Sequence, residues 1–121
     1  AVMSSYNKVN GTYVNNSKVL LDGVLRCEWG FDGLVMTDWL ATGKRLGSHA
    51  RAVASGNDLI MPGGRSAVRG LKNAVKSGAI KREDLRRCAA NVLKGITGSR
   101  IYQAYRRQKE KQERQKERTE K

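Results

Sequence analysis

Three short apolar runs constrain this chain more than anything else in it: Val2–Met3, Leu34–Val35–Met36 and Leu59–Ile60–Met61. Each stops abruptly, at Ser4-Ser5, Thr37-Asp38 and Pro62-Gly63-Gly64 respectively. A continuous apolar run of this length, without alternation, is the pattern of a strand buried on both faces, the kind found in parallel sheets. We therefore read strands at 1–4, 34–36 and 58–61. The stretches between and after them carry a helical period. Leu20, Leu21, Val24 and Leu25 lay one apolar stripe toward a core, with Asn16 or Ser17 as the N-cap. A short helix is predicted over 50–54, and longer ones over 67–77 and 83–96. The last places Leu85, Ala89, Val92 and Ile96 on one stripe.

Strand, helix, strand, helix, strand, helix is the rhythm of an α/β protein with a parallel sheet. Three such units can open a doubly wound sheet or close part of a barrel. No GxGxxG or P-loop glycine pattern follows any of the strands, which argues against a nucleotide site. The 121 residues suffice for one modest domain. No apolar run approaches the ~20 residues of a spanning helix. The chain starts Ala1-Val2-Met3, already in strand-like sequence, as a piece cut from something longer would. With no export signal in view, the cytoplasm is the default expectation. Cys27 and Cys88 stand far apart and form no CxxC pair, so neither a disulfide framework nor a zinc site is expected. Cys88 falls on an apolar helical stripe and reads as a small core residue.

The net charge is +13, from 24 basic and 11 acidic side chains. Such a balance raises the prospect of an anionic partner. Its distribution reads as scattered surface charge, densest between Arg65 and Arg100. Residues 1–98 form the expected folded part and 99–121 a basic tail, helical or disordered. Within it Glu110–Arg114 and Glu117–Lys121 are i,i+4 pairs that would support a solvated, fraying helix.

Asp38 stands out by position. It follows Leu34–Met36 and so lies at the carboxyl end of a buried parallel strand, where α/β proteins place ligands and catalytic groups. Trp39 beside it offers an aromatic plane of the kind that stacks on a sugar ring. The plainer alternative is that Asp38 caps the following loop.

Three segments bear on this choice. Val2-Met3-Ser4-Ser5-Tyr6-Asn7-Lys8-Val9-Asn10-Gly11 resembles the M-x-S-Y-N-x-x-N-G segment of glycoside hydrolase family 3. Glu28-Trp29-Gly30-Phe31-Asp32-Gly33-Leu34-Val35-Met36-Thr37-Asp38-Trp39 is similar to that family's signature ending [ST]-D-W. Gly56-Asn57-Asp58-Leu59-Ile60-Met61-Pro62-Gly63 looks like its G-x-D-L-x-M-P-G segment. The three stand in family order and the resemblance covers about residues 1 to 97.

The resemblance implies a (β/α)8 TIM-type barrel, of which this chain would be the last three βα units, incomplete, followed by the basic tail. It implies retaining hydrolysis of a β-linked glycoside, with Asp38 as nucleophile, Trp39 lining the sugar subsite, and Met3 and Tyr6 beside the nucleophile. A Tyr6 hydroxyl there can hydrogen-bond the carboxylate. Asn10, Trp29, Phe31 and Asp58 match positions of structural kind. A retaining glycosidase needs a second group ~5 Å away to protonate the leaving oxygen. In much of the family that Glu comes from a separate α/β sandwich domain, and some members use a His on an earlier barrel loop. Neither is matched here, and His49 falls in no motif, so the isolated chain is expected to be inactive. The implied partners are a carbohydrate and the missing strands and sandwich domain, with no cofactor, metal, membrane or nucleic acid. Two features depart from the family: Leu40 stands where a Gly usually follows D-W, and the tail after Gly98 has no counterpart. Arg87–Leu93, reading R-C-A-A-x-V-L, resembles members whose barrel follows the sandwich domain, where such a tail would be a natural ending. The rival reading is a basic binding module for nucleic acid or other anionic partners, built on a truncated barrel.

Overall fold

The computed structural model describes residues 1–43 and 46–119. At its centre β1 (Val2–Ser4) and β4 (Val35–Thr37) pair in parallel, with Val2 opposite Val35, Met3 opposite Met36 and Ser4 opposite Thr37. Alternation sends Ser4, Val35 and Thr37 to one face, where all three are buried. Met3 and Met36 point to the other face, and Met3 is exposed there.

Beyond Tyr6 the chain forms a small antiparallel hairpin, β2 (Lys8–Val9) and β3 (Thr12–Tyr13). Asn10 and Gly11 join them with φ of 49° and 77°, so both central residues are left-handed as a type I′ turn requires. The Lys8 ammonium lies 4.7 Å from the centre of the Tyr13 ring.

The helix expected after Ser17 is present over Val19–Glu28, but wound with i→i+5 hydrogen bonds as a π-helix. The Trp29 N–H closes it on the Val24 carbonyl at 2.9 Å. Leucines four apart keep an apolar stripe in either winding, so their spacing does not announce the wider turn. Only Leu21 of the stripe is buried. Ser17 Oγ accepts the Leu20 N–H at 3.4 Å, while Asn16 faces elsewhere.

The third expected strand is reduced to a single parallel bridge between Met36 and Leu59. Both Asp58 N–H and Leu59 N–H go to the Val35 carbonyl, at 2.7 and 3.2 Å, and Thr37 N–H goes to the Leu59 carbonyl at 2.9 Å. The next donor, Met61 N–H, is taken by the Thr37 hydroxyl at 2.9 Å rather than by a backbone carbonyl, so the ladder stops. Leu59 is also exposed rather than buried.

Helices α1 (His49–Ala54), α2 (Arg65–Lys76) and α3 (Arg82–Thr97) fall within two residues of their expected bounds. Ser48 caps α1 through its hydroxyl, which accepts the Arg51 N–H at 3.4 Å. Val53, Ala74, Ile80 and the thiol of Cys88 form the apolar core among the three. Lys94 of α3 pairs with Asp32, and its hydrogen bond and charge hold the Asp32 carboxyl below the usual range. The tail residues Arg100–Thr119 form one continuous helix, α4. Glu110 pairs there with Arg106 at 2.9 Å, not with Arg114, and Glu113 lies 3.9 Å from Lys109. The expected Glu117–Lys121 pair lies outside the described residues.

Two adjacent side chains, Asn57 and Asp58, tie these parts together. Asn57 is fully buried. Its amide oxygen accepts from Ser4 Oγ at 2.7 Å, and its nitrogen donates to the carbonyls of Asn15 at 2.7 Å and Ala52 at 3.0 Å. Asp58 Oδ2 accepts from Arg26 at 2.7 Å and from Val35 N–H at 2.9 Å, while Oδ1 accepts from Asn91 at 2.8 Å. The Asp58 side chain has no exposed area and that of Arg26 only 13%. Arg26 also donates to the carbonyls of Gly33 and Gly56, each at 3.1 Å.

Removing one charge from a buried pair strands the other and typically costs 3–5 kcal/mol. We expect Asp58→Asn to lower stability by about 3 kcal/mol in urea denaturation. Asp22→Asn, which breaks the exposed Lys18–Asp22 pair at 3.8 Å, should cost less than about 0.5 kcal/mol. The two thiols differ as well. Cys27 is exposed, whereas burial pushes the Cys88 thiol above its ordinary pKa, with Arg87 only partly opposing. Alkylation followed by peptide mass analysis should label Cys27 in the native chain and Cys88 only on unfolding.

Candidate functional site

The parallel pairing of β1 with β4 brings two chain segments to one end of the sheet. Ser5 and Tyr6 leave β1 there, and Asp38 and Trp39 leave β4. The Asp38 N–H continues the ladder to the Ser4 carbonyl at 3.0 Å, so alternation carries its side chain to the open face that Met3 and Met36 occupy. Asp38 is half-buried, and its Oδ1 accepts the N–H of Trp39 at 2.7 Å. That bond turns one carboxylate oxygen back onto the chain. Among the described residues Oδ2 has no protein donor, which leaves it available to an incoming group.

Trp39 is 57% exposed, and Tyr6 and Met3 are exposed with it. Met3 and Asp38 therefore share one face of the sheet, and Tyr6 and Trp39 follow β1 and β4 at the same end. The Tyr6 hydroxyl, however, donates to the Trp39 carbonyl and not to the Asp38 carboxylate. It braces the segment that carries the aromatic ring. His49 lies apart: its Nδ1 is 2.7 Å from the Thr42 hydroxyl.

Leu40 sits at the position that departs from the family pattern, and its φ is 58°, in the left-handed region where a Cβ is disfavoured. Its N–H is held by the Met61 carbonyl at 3.0 Å, and its side chain is 67% exposed. A glycine would adopt this backbone conformation without strain, whereas Leu40 holds it at a cost.

Two asparagines, Asn15 and the N-cap candidate Asn16, anchor the far part of this loop. Asn15, fully buried, donates its Nδ2 to the Ala41 carbonyl at 2.8 Å. Asn16 makes a reciprocal pair with Ser48, accepting its N–H at 2.6 Å and donating to its carbonyl at 3.1 Å. A Cβ at Gly47 would stand 2.1 Å from Asn15 Oδ1, so this residue must be glycine for the loop to close. The only sequence signal for these contacts is the Asn15-Asn16 dipeptide before a helix, which reads equally well as an ordinary cap.

The geometry can be set beside known proteins. The family model described as Glycosyl hydrolase family 3 N terminal domain matches residues 1–94. A β-glucosidase of Rhizobium radiobacter is 49% identical over 96 residues, which are 77% of this chain and 11% of that protein. Probable β-glucosidase K of Emericella nidulans is 46% identical over 98 residues, 79% of this chain and 11% of that protein. Among solved structures, β-glucosidase 3B from Thermotoga neapolitana in complex with glycerol superposes with a TM-score of 0.72 at 36% identity, over 85% of this chain and 16% of that one. The GH3 β-glucosidase of Bifidobacterium adolescentis gives a TM-score of 0.71 at 33% identity, over 83% and 14%. This chain thus spans only about a ninth of the curated relatives it matches. A family match over most of its length nonetheless decides its kinship: the chain belongs to glycosyl hydrolase family 3 and carries part of that family's N-terminal domain.

Proposed function

We propose that this chain is the nucleophile-bearing part of a retaining β-glycosidase, the last three βα units of a (β/α)8-type barrel, with Asp38 as the nucleophile. The single observation that carries this reading is the placement of Asp38 at the carboxyl end of β4 with one carboxylate oxygen without a protein donor among the described residues. In the reaction that oxygen attacks the anomeric carbon as the glycosidic C–O bond breaks. An acid supplied from outside this chain protonates the leaving oxygen. Water then attacks the glycosyl–Asp38 ester and releases the sugar with net retention.

The residues around Asp38 have matching tasks. The backbone bond from Asp38 N–H to Ser4 fixes the root of the side chain, and the Trp39 N–H holds one oxygen of the carboxylate. Tyr6 holds the Trp39 carbonyl and so steadies the backbone that carries the indole, a surface for stacking by a sugar ring. Met3 supplies an apolar wall on the same face. With no partner for the acid step among these residues, the chain acts only when completed by the rest of the enzyme.

The test restores the missing strands and sandwich domain from a close relative. Reaction with a 2-fluoro glycoside should then label Asp38 in peptide mapping. Asp38→Asn should lower the glycosylation rate by several powers of ten, each worth ~1.4 kcal/mol of transition-state stabilisation. Label on another carboxylate, or normal turnover by the variant, sinks the assignment. A second outcome concerns Leu40. Leu40→Gly relieves left-handed strain of ~1–2 kcal/mol against a smaller loss from the freer unfolded chain. Thermal denaturation should show a net gain of up to ~1 kcal/mol.

A further inference from the structure

The basic residues expected to be scattered are sorted along α2. Arg65, Arg69, Lys72 and Lys76 follow one another at spacings of four, three and four, and all are exposed. At 1.5 Å per residue they form a row about 16 Å long on one side of the helix. The helix contains no acidic residue, and none of the four cations has an ion-pair partner among the described residues. The opposite side, through Ala67 and Ala74, is buried.

Beside this row the surface is concave. One cavity of about 370 Å³ is lined by Ser48, His49, Ser66, Arg69, Gly70 and Asn73, among others. The His49 ring lies against α2 at Gly70, where even a Cβ would meet it at 3.4 Å, an ordinary van der Waals contact. The bond from His49 Nδ1 to Thr42 orients the ring and leaves Nε2 unpartnered among the described residues. A second cavity of about 420 Å³ runs on along Arg65, Val68, Lys72 and Lys76. The two share Arg69 and Asn73, and so form one groove.

The groove pairs cations with further hydrogen-bonding groups: two serine hydroxyls, an amide and an imidazole. Hydroxyls and amides match the donors and acceptors of sugar rings, and a row of guanidinium and ammonium groups matches repeated anionic substituents. Stacking surfaces, which single-stranded nucleic acids require, are missing among the described residues, of which His49 alone brings an aromatic ring to the lining. We propose that the α2 groove binds an anionic oligosaccharide, a chain of sugars bearing carboxylate or sulfate groups, at a site separate from Asp38. The sugar part of this assignment rests on the glycosidase reading, whereas the anionic part rests on the groove alone.

The test is titration calorimetry on the full chain at low ionic strength, which requires no turnover and so succeeds or fails independently of the Asp38 assignment. The probes are a galacturonic acid hexasaccharide, a heparin-derived hexasaccharide, a neutral cello-hexasaccharide and a short DNA duplex. Binding of either acidic sugar, and not of the neutral one, is the expected result, and the stronger of the two identifies carboxylate or sulfate as the group read. Arg69→Gln and Asn73→Ala should each weaken it at least ~tenfold. Both residues are exposed, and unchanged circular dichroism will show that the variants fold. Asn73→Ala leaves the charge untouched, so its loss reads hydrogen bonding. Arg107→Gln with Arg114→Gln on α4 removes two charges elsewhere and should change affinity less than ~twofold. Equal losses from the α4 pair would mean attraction to net charge alone and overturn the site. Tighter binding of the DNA duplex, equal binding of the neutral sugar, or no binding to any probe would overturn it as well.

Discussion

The buried pair of Arg26 and Asp58 is the constraint on which the rest of this structure depends. Three elements reach it: the π-helix through Arg26, β4 through the Val35 N–H, and α3 through Asn91. Desolvating two charges is expensive, and the geometry answers that cost by satisfying both carboxylate oxygens and by sending the guanidinium also to two backbone carbonyls. Its neighbour Asn57 does the same for β1, the turn at Asn15 and α1. Two adjacent residues therefore replace much of the apolar core that so short a chain cannot build. The apolar cluster among α1, α2 and α3 is small, and Ala and Cys make up half of its four buried members.

The position of Asp38 follows from this framework. Val35 is locked by Asp58, Thr37 by the segment that Asp58 begins, and Asp38 by Ser4, whose hydroxyl is held by Asn57. The loop beyond it is pinned from the opposite side by Asn15 and Asn16. The nucleophile candidate is thus placed by polar contacts that are themselves buried, so small errors in its setting are resisted from several directions at once. Catalytic groups need such over-determination, since misplacement by ~1 Å is costly to rate.

Much of this was legible from residue order alone. α1, α2 and α3 show themselves because amphipathic spacing depends on neighbours within a few positions. β1 and β4 show themselves as apolar runs, and Asp38 as the residue after the second. What could not be read depends on partners far away in sequence. Nothing near Arg26 indicates that it is buried, because its carboxylate lies 32 positions on. The π-winding of Val19–Glu28 leaves the same leucine spacing as an α-helix. The strand expected over 58–61 fails because a side-chain hydroxyl of Thr37 captures a donor that pairing would need. One further local signal stands in the sequence: Asn10-Gly11 is a strong hairpin dipeptide, and it joins β2 to β3.

The long reach of the polar hub also governs how the chain can assemble as it is made. Ser4 waits for Asn57 across 53 positions, and Asn15 waits for the same amide across 42. A ribosome adding 5–20 residues each second leaves β1 without its lock for roughly 3 to 10 seconds. During that interval the first strand, the hairpin and the π-helix have emerged with no amide or carboxylate to close them. Both closing groups then arrive together, within a single dipeptide, and Asn91, which completes the contacts of Asp58, follows 33 positions later.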